Sequence, residues 1–128
     1  MIVVDSSVWI DNLHDHDTEQ VRCLSAIDHP DILVGDIILL EVLRGARSER
    51  DAQRIERNMR QYRIVQMLDD QLAGIAAANF RRLRSLGITI RKSADLIIGT
   101  YCIEHGHALL HDDRDFAPMV EHLGLKLA

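Results

Sequence analysis

Residues 1–11 read MIVVDSSVWID, and they place a carboxylate where a strand is followed by a helix. The Ile-Val-Val run at residues 2–4 is short, apolar and β-branched, which favours a buried parallel strand. Asp5 ends the run, and Ser6 and Ser7 offer hydroxyls for capping the next helix. In open α/β sheets, ligands bind at the carboxyl edge, where such strand ends lie. Asp5 is therefore either a helix cap or part of a binding site.

The composition is that of one globular domain. The chain has 128 residues, of which 47% are apolar, enough for a single core without disulfides. No apolar run approaches the roughly 20 residues of a membrane span, and no basic leader precedes the first strand, so we expect neither a transmembrane segment nor a signal peptide. Cys23 and Cys102 lie in apolar helical contexts, so we expect reduced core thiols and a cytoplasmic protein.

Strand and helix patterns alternate along the chain, which predicts an α/β fold. Further strands are expected at residues 31–35, within 62–68, at 107–111 and at 125–128, and the longest helix from Asp69-Asp70 to Gly87. We find no internal repeat, low-complexity segment or linker. The chain also lacks a glycine-rich phosphate loop, a Walker lysine and a GxSxG elbow, so those enzyme classes have no support.

A second acidic residue, Glu41, lies in a helix predicted over residues 37–43, with Asp36 as the expected N-cap. The neighbours of Glu41 are apolar around most of the helix, which indicates a largely buried segment. A carboxylate there must be paired or bound to a metal, because burying an isolated charge is costly. A salt bridge to Arg44 or Arg47 on the same helix is the alternative to a metal-binding role.

More carboxylates follow near the end of the chain. Ser93 is the expected N-cap of a nearly apolar helix, and Asp95 falls in its first turn, where the helix dipole favours a negative charge. This helix should pack against the sheet and hold Asp95 rigidly at its open end. Directly after the fourth predicted strand, the run HDDRDF at residues 111–116 supplies three more carboxylates.

Basic residues are concentrated in the middle of the chain. Seven arginines lie between Arg44 and Arg63, although the net charge of the chain is −5. Four of them, at spacings of three, four and three, form one stripe on a helix: Arg47, Arg50, Arg54 and Arg57. The stripe is either a solvated helix face or a surface that contacts RNA phosphates or an acidic partner.

Four motifs in this order resemble those of the PIN-domain nucleases, and in particular the VapC ribonuclease toxins of bacterial toxin–antitoxin pairs: MIVVDSSVWID, EVLRGAR, SADLIIG and LLHDDRDF. The resemblance spans the chain and implies a single PIN domain over residues 1–128. It implies a three-layer α/β/α sandwich with a mostly parallel central sheet, in which the acidic residues converge at the carboxyl edge.

The resemblance implies catalytic and metal-binding roles for three acidic residues: Asp5, Glu41 and Asp95. Asp112, Asp113 and Asp115 compete for the place of a fourth acid. We favour Asp113 as the catalytic residue, with Asp115 second and as a further metal ligand. Ser7 matches a small hydroxyl position that could orient Asp5 or a bound water.

The donor set indicates the cofactor. Crowded carboxylates repel one another unless a divalent cation neutralises them, and oxygen ligands without cysteine or clustered histidine favour Mg²⁺, with Mn²⁺ as a substitute, over zinc. One or two ions are compatible with this pattern. The resemblance implies an endoribonuclease toxin that hydrolyses RNA phosphodiester bonds, is inhibited by a cognate antitoxin protein and forms a homodimer.

Two other classes of function compete with the nuclease. A phosphoryl-transfer α/β domain also places aspartates at strand ends, but a phosphatase of this kind needs an aspartate where Ser7 stands. A receiver domain needs an aspartate after the third strand and a late lysine, and Asp69 and Lys126 are poorly placed for these roles. The other alternative is a catalytically silent PIN-like binding module, in which the acids are helix caps and salt-bridge partners.

Overall fold

The centre of the computed structural model, which describes residues 1–128, is a sheet of five strands. The strands are β1 (Ile2–Val4), β2 (Ile32–Gly35), β3 (Arg63–Val65), β4 (Ala108–Leu110) and β5 (Lys126–Leu127). Their order across the sheet is β3-β2-β1-β4-β5, and every neighbouring pair is parallel. The α/β fold predicted from the alternating pattern is confirmed, with a sheet that is wholly parallel.

Seven helices cover the sheet: α1 (Ser6–Leu13), α2 (Glu19–Ala26), α3 (Asp36–Arg44), α4 (Glu49–Met59), α5 (Asp70–Ser85), α6 (Ser93–His105) and α7 (Ala117–Leu123). They pack in two groups, since α1 contacts α2 and α3, α3 contacts α4, and α5 contacts α6 and α7. The result is the predicted α/β/α sandwich. None of these helices is both long and apolar enough to cross a lipid bilayer.

The core is one continuous cluster of 25 buried apolar side chains. All four residues of β2 are buried, as expected for a parallel strand that is covered on both faces. Cys102 belongs to this core, and burial raises the pKa of its thiol to about 12. The prediction of two core thiols is wrong for Cys23, which is exposed because it lies on the outer face of α2.

Two helices begin one residue earlier than predicted. Asp36 is the first residue of α3, and its Oδ1 accepts a hydrogen bond from the backbone N–H of Met67 at 3.1 Å, so it ties α3 to the segment after β3. Ser93 is likewise the first residue of α6 rather than its N-cap. The prediction that α3 is largely buried is confirmed, with Leu40, which is 61% exposed, as the apolar exception.

Candidate metal centre

The candidate site lies at the carboxyl edge of the sheet, between β1 and β4. The chain passes from β1 to β2 on one side, whereas β4 pairs with β1 on the other, and parallel sheets bind ligands at such a switch point. Asp5 follows β1 directly, and Asp113 lies shortly after β4. Since the C-terminal end of α6 leads into β4, its N-terminal turn, which carries Asp95, lies at the same edge.

Asp5 is nearly inaccessible, with 3% of its surface exposed. Its Oδ2 accepts hydrogen bonds from the backbone N–H of Ser7 at 3.2 Å and from the Ser7 hydroxyl at 2.6 Å. The Ser7 Oγ in turn accepts a hydrogen bond from the backbone N–H of Asp112 at 3.2 Å, which links the start of α1 to the loop after β4. The other oxygen, Oδ1 of Asp5, is buried without a hydrogen-bond partner.

Asp95 is also buried, and its Oδ2 has no hydrogen-bond partner either. Burial raises the pKa of this carboxyl to about 7, and the negative charge of Asp5 acts in the same direction. The ammonium of Lys92 opposes the rise in pKa, while Asp113 and Glu41 add to it. Buried polar atoms are almost always paired, so two unpaired carboxylate oxygens in one site indicate that a ligand belongs there.

The loop after β4 brings two of its three aspartates to Asp95. One carboxylate oxygen each from Asp95, Asp113 and Asp115 lies within 4.8 Å of the others. Asp113 is half-buried and its Oδ1 accepts a hydrogen bond from the backbone N–H of Asp115 at 2.9 Å, which holds the two residues together. Asp112 is exposed and lies outside this group, and its backbone rather than its carboxylate contacts the site.

Glu41 reaches the site from the middle of α3 and is half-buried. Its Oε1 accepts a hydrogen bond from the Ser6 hydroxyl at 3.2 Å. The ion pair with Arg44 or Arg47, considered from the sequence, is not formed. Burial, followed by the charge of Asp5, raises the pKa of Glu41, although the Ser6 hydrogen bond and nearby cations oppose this.

Three contributors to the site were not identified from the sequence. Ser6 contacts Glu41, and Lys92 places its Nζ 3.8 Å from Oδ2 of Asp113. His111 accepts a hydrogen bond on Nδ1 from the backbone N–H of Asp113 at 3.1 Å. Only the position of Lys92, directly before the helix of Asp95, gave a sequence signal that could have pointed to it.

This donor set fits a hard divalent cation. It consists of carboxylate oxygens, two of which are buried and unpaired, and it contains neither a thiolate nor an imidazole. Burial, followed by the charge of Asp5, raises the pKa values of Asp95 and Glu41, and a cation bound between these carboxylates would favour their ionised forms. Helix capping accounts for Oδ2 of Asp5, which caps α1, but it leaves Oδ1 of Asp5 and the carboxyl of Asp95 unexplained.

Residues 2–120 match the sequence model of the family described as the PIN domain. The chain belongs to the PIN-domain family. Among curated proteins, the chain is similar to ribonuclease VapC11 of Mycobacterium tuberculosis, with 29% identity over 120 residues that cover 91% of this chain and 89% of the relative. Family membership confirms the resemblance to PIN-domain ribonucleases and favours a nuclease over the phosphatase and receiver alternatives.

Solved structures share the fold of this PIN domain. The structure of FitAB bound to the IR36 DNA fragment has a TM-score of 0.81 and 20% identity, and covers 100% of this chain and 94% of that one. A toxin–antitoxin complex from Klebsiella pneumoniae has a TM-score of 0.72 and 22% identity, with 91% of each chain covered. At these identities, the likeness supports the architecture.

Three of the four arginines of the predicted stripe lie on α4: Arg50, Arg54 and Arg57. The placement of Arg47 on the same helix is wrong because α4 begins at Glu49; all four side chains are exposed. One of them, Arg54, donates to Asp51 at 2.9 Å and is thereby partly neutralised. Arg47 and Arg54 line a cavity of about 430 Å³ that also includes residues of α1 and α3. A role of the stripe in binding RNA or a partner stays a prediction.

We expect Glu41→Gln to leave the metal-free protein at least as stable as wild type, because it removes one of several like charges whose repulsion raises the pKa of the acids. Thermal melting in EDTA measures this, and metal titration and RNA cleavage should show parallel losses. Glu49→Gln, on the exposed N-terminal turn of α4, is the control for charge. A Glu41→Gln protein that melts much lower yet cleaves RNA normally would remove Glu41 from the site.

We expect Ser7→Ala to reduce cleavage by about 10- to 100-fold, as is typical when the group that orients a metal ligand is lost. The Ser7 hydroxyl donates the shortest hydrogen bond to Asp5, and without it the carboxylate can rotate. Single-turnover cleavage measures the effect, and Ser25→Ala on the exposed surface of α2 is the control. Unchanged cleavage by Ser7→Ala would show that the backbone N–H alone holds Asp5.

Proposed function

We propose that this PIN domain is a divalent-metal-dependent endoribonuclease of the VapC kind, which hydrolyses RNA phosphodiester bonds. The observation that carries the proposal is the convergence of carboxylates with two buried, unpaired oxygens at the switch point of the sheet. The similarity to a relative named ribonuclease VapC11, along nearly the whole chain, supports RNA as the substrate.

The proposed ligands and catalytic residues are Asp5, Glu41, Asp95 and Asp113, with Asp115 as a further ligand. Mg²⁺ is the proposed ion, with Mn²⁺ as a substitute, because both take hard oxygen donors. When bound, such an ion lowers the pKa of a water molecule and stabilises negative charge on the scissile phosphate.

The surrounding residues hold these acids in place. Ser7 orients Asp5, Ser6 orients Glu41, and the backbone of Asp115 holds Asp113. Glu41 is half-buried beside Asp5, and burial followed by the charge of Asp5 raises the pKa of its carboxyl, so a bound cation would favour its ionised, ligating form. Lys92 places a positive charge at the rim, where a polyanionic substrate approaches.

A cognate antitoxin protein is the proposed partner, and the proposed oligomer is a homodimer. The similarity of the fold to a chain of a solved toxin–antitoxin complex supports the antitoxin as partner. Co-purification with the product of the neighbouring reading frame tests the antitoxin partner. Light scattering of the purified chain tests the homodimer. A chain that stays monomeric at all concentrations would contradict the homodimer.

Cleavage of total RNA by the purified chain tests the proposed activity. We expect cleavage in Mg²⁺ or Mn²⁺ and none in EDTA, with single-stranded DNA as a second substrate to measure the preference for RNA. Isothermal titration with Mn²⁺ tests the ligand set separately, since caps and salt bridges would not form a shared metal site. Full activity in EDTA, or no RNA cleavage with any divalent metal, would overturn the proposal.

A further inference from the structure

A second cavity, whose lining includes two arginines, adjoins the acidic site on the side of α6 and α7. It encloses about 350 Å³ and is lined by Thr89, Ile90, Arg91, Arg114, Asp115 and Pro118. Asp115 also belongs to the carboxylate group formed with Asp95 and Asp113. The cavity and the acidic site therefore adjoin each other at Asp115.

The two arginines of this cavity are free to bind a ligand. Both side chains are exposed, and neither Arg91 nor Arg114 forms an ion pair within the chain. By contrast, Arg54 on α4 and Arg60 directly after it are engaged by carboxylates of that helix. A free guanidinium presents a planar set of donors that matches the oxygens of a phosphate group. Two of them around one concave space form a candidate anion site.

The negative charge of the neighbouring acidic site repels RNA, so cationic side chains are needed beside it. The chain has a net charge of −5, and its carboxylates are concentrated where an RNA phosphate must bind. A polyanion approaching this edge is repelled unless cations lie beside the acids. Arg91 is followed by Lys92, whose Nζ lies 3.8 Å from Asp113, and Arg114 stands between Asp113 and Asp115, so all three cationic residues adjoin the acidic site.

We propose that this cavity is a subsite for an RNA backbone phosphate next to the scissile one, with Arg91 and Arg114 as its donors. This inference rests on the proposed ribonuclease function and names the residues that position its substrate. The two guanidinium groups attract the RNA backbone beside the carboxylates, which repel it. It binds the ground state and the transition state alike, because the flanking phosphate does not react.

The test compares two double variants with the same change in charge. Arg91→Ala/Arg114→Ala removes the proposed donors, and Arg81→Ala/Arg82→Ala removes two exposed, unpaired arginines of α5. Binding of a fluorescein-labelled oligouridylate is measured by anisotropy in EDTA over a range of NaCl concentrations. Melting curves of both variants establish that they are folded, which we expect because all four side chains are exposed.

For single-stranded RNA, each neutralised phosphate contributes about 0.7 to the slope of log affinity against log salt, so the loss of the one phosphate held in this subsite should flatten the slope by about 0.7. The Arg81→Ala/Arg82→Ala control should keep the wild-type slope. The proposal is overturned if the Arg91→Ala/Arg114→Ala variant keeps the wild-type slope, or if the control flattens as much.

Cleavage in Mg²⁺ then separates this proposal from the proposed function. Arg91→Ala/Arg114→Ala should raise KM by about tenfold with little change in kcat, the pattern expected when uniform binding is lost. If wild-type protein cleaves no RNA with any metal, the proposed function fails, while binding in EDTA still tests the cavity as an RNA site. A fall of about tenfold in kcat with an unchanged KM would contradict a subsite for a flanking phosphate.

Discussion

Asp5→Asn should abolish RNA cleavage in Mg²⁺ or Mn²⁺ while leaving the fold intact. Asn retains an oxygen that can cap α1, so the local hydrogen bonds with Ser7 can persist. It lacks the negative charge that a divalent cation requires of its ligand. A metal ion stabilises the charge of the transition state by several kcal/mol, and each 1.36 kcal/mol changes the rate tenfold. We therefore expect the cleavage rate to fall by at least about a thousandfold.

The matched control is Asp112→Asn, which makes the same change of charge in a nearby exposed residue whose carboxylate lies outside the acidic group. It should retain most of the activity, because its contact with Ser7 uses the backbone N–H. Cleavage of a labelled RNA and a melting curve are measured on both variants. Equal losses of activity in the two variants would mean that local charge, rather than metal binding by Asp5, sets the rate.

Asp95→Asn should stabilise the metal-free protein at neutral and alkaline pH. Burial and the charge of Asp5 raise the pKa of Asp95 from 3.8 to about 7, so the folded state binds a proton that the unfolded state has released. Stability from this group is complete below pH 3.8 and is lost as the pH rises to about 7. At 1.36 kcal/mol per pKa unit, the loss is on the order of 4 kcal/mol.

Melting in EDTA between pH 4 and pH 8 measures this effect. Given the usual shift of a few degrees per kcal/mol, wild type should lose roughly 10 °C relative to Asp95→Asn over this range. Asp112→Asn, which has an exposed carboxylate, should follow wild type. Saturating Mn²⁺ should restore wild-type stability at pH 8 and leave the Asp95→Asn protein little changed, because a ligand that binds only the folded state stabilises it. An Asp95→Asn protein that melts below wild type at both pH values would contradict this origin of the raised pKa.

Much of the framework was predictable from local patterns. The apolar run at residues 2–4 and the polar residues that follow place Asp5 at the end of a buried strand, and β1 ends at Val4 as expected. The glycine at the predicted end of the longest helix was similarly reliable: α5 ends at Ser85, and Gly87 follows with a φ of 82°, which side chains other than glycine rarely adopt. Such signals lie within a few residues of the element they specify, so they can be recognised from the sequence without knowledge of the tertiary structure.

The partners of the acidic residues were less predictable, because they come from distant parts of the chain. For Glu41, the sequence suggested a salt bridge to an arginine on its own helix as one possibility. Its observed hydrogen-bond partner, Ser6, is 35 residues away. Asp36 was predicted to be a cap, but its carboxylate also reaches Met67, 31 residues later. Helical spacing identifies neighbours on one helix, and it contains no information on which other helix begins beside it.

The sequence by itself determined the α/β class and the order of the strands along the chain, because periodicity and capping are local properties. The acids expected at the carboxyl edge were implied by the resemblance of four motifs to those of PIN-domain nucleases. Only the tertiary structure decided that Asp113 and Asp115, but not Asp112, join Asp95, since that depends on how the loop after β4 turns. It also decided that the carboxyl of Asp95 is protonated more readily than usual, because burial and the charge of Asp5 act only once two distant segments have packed together.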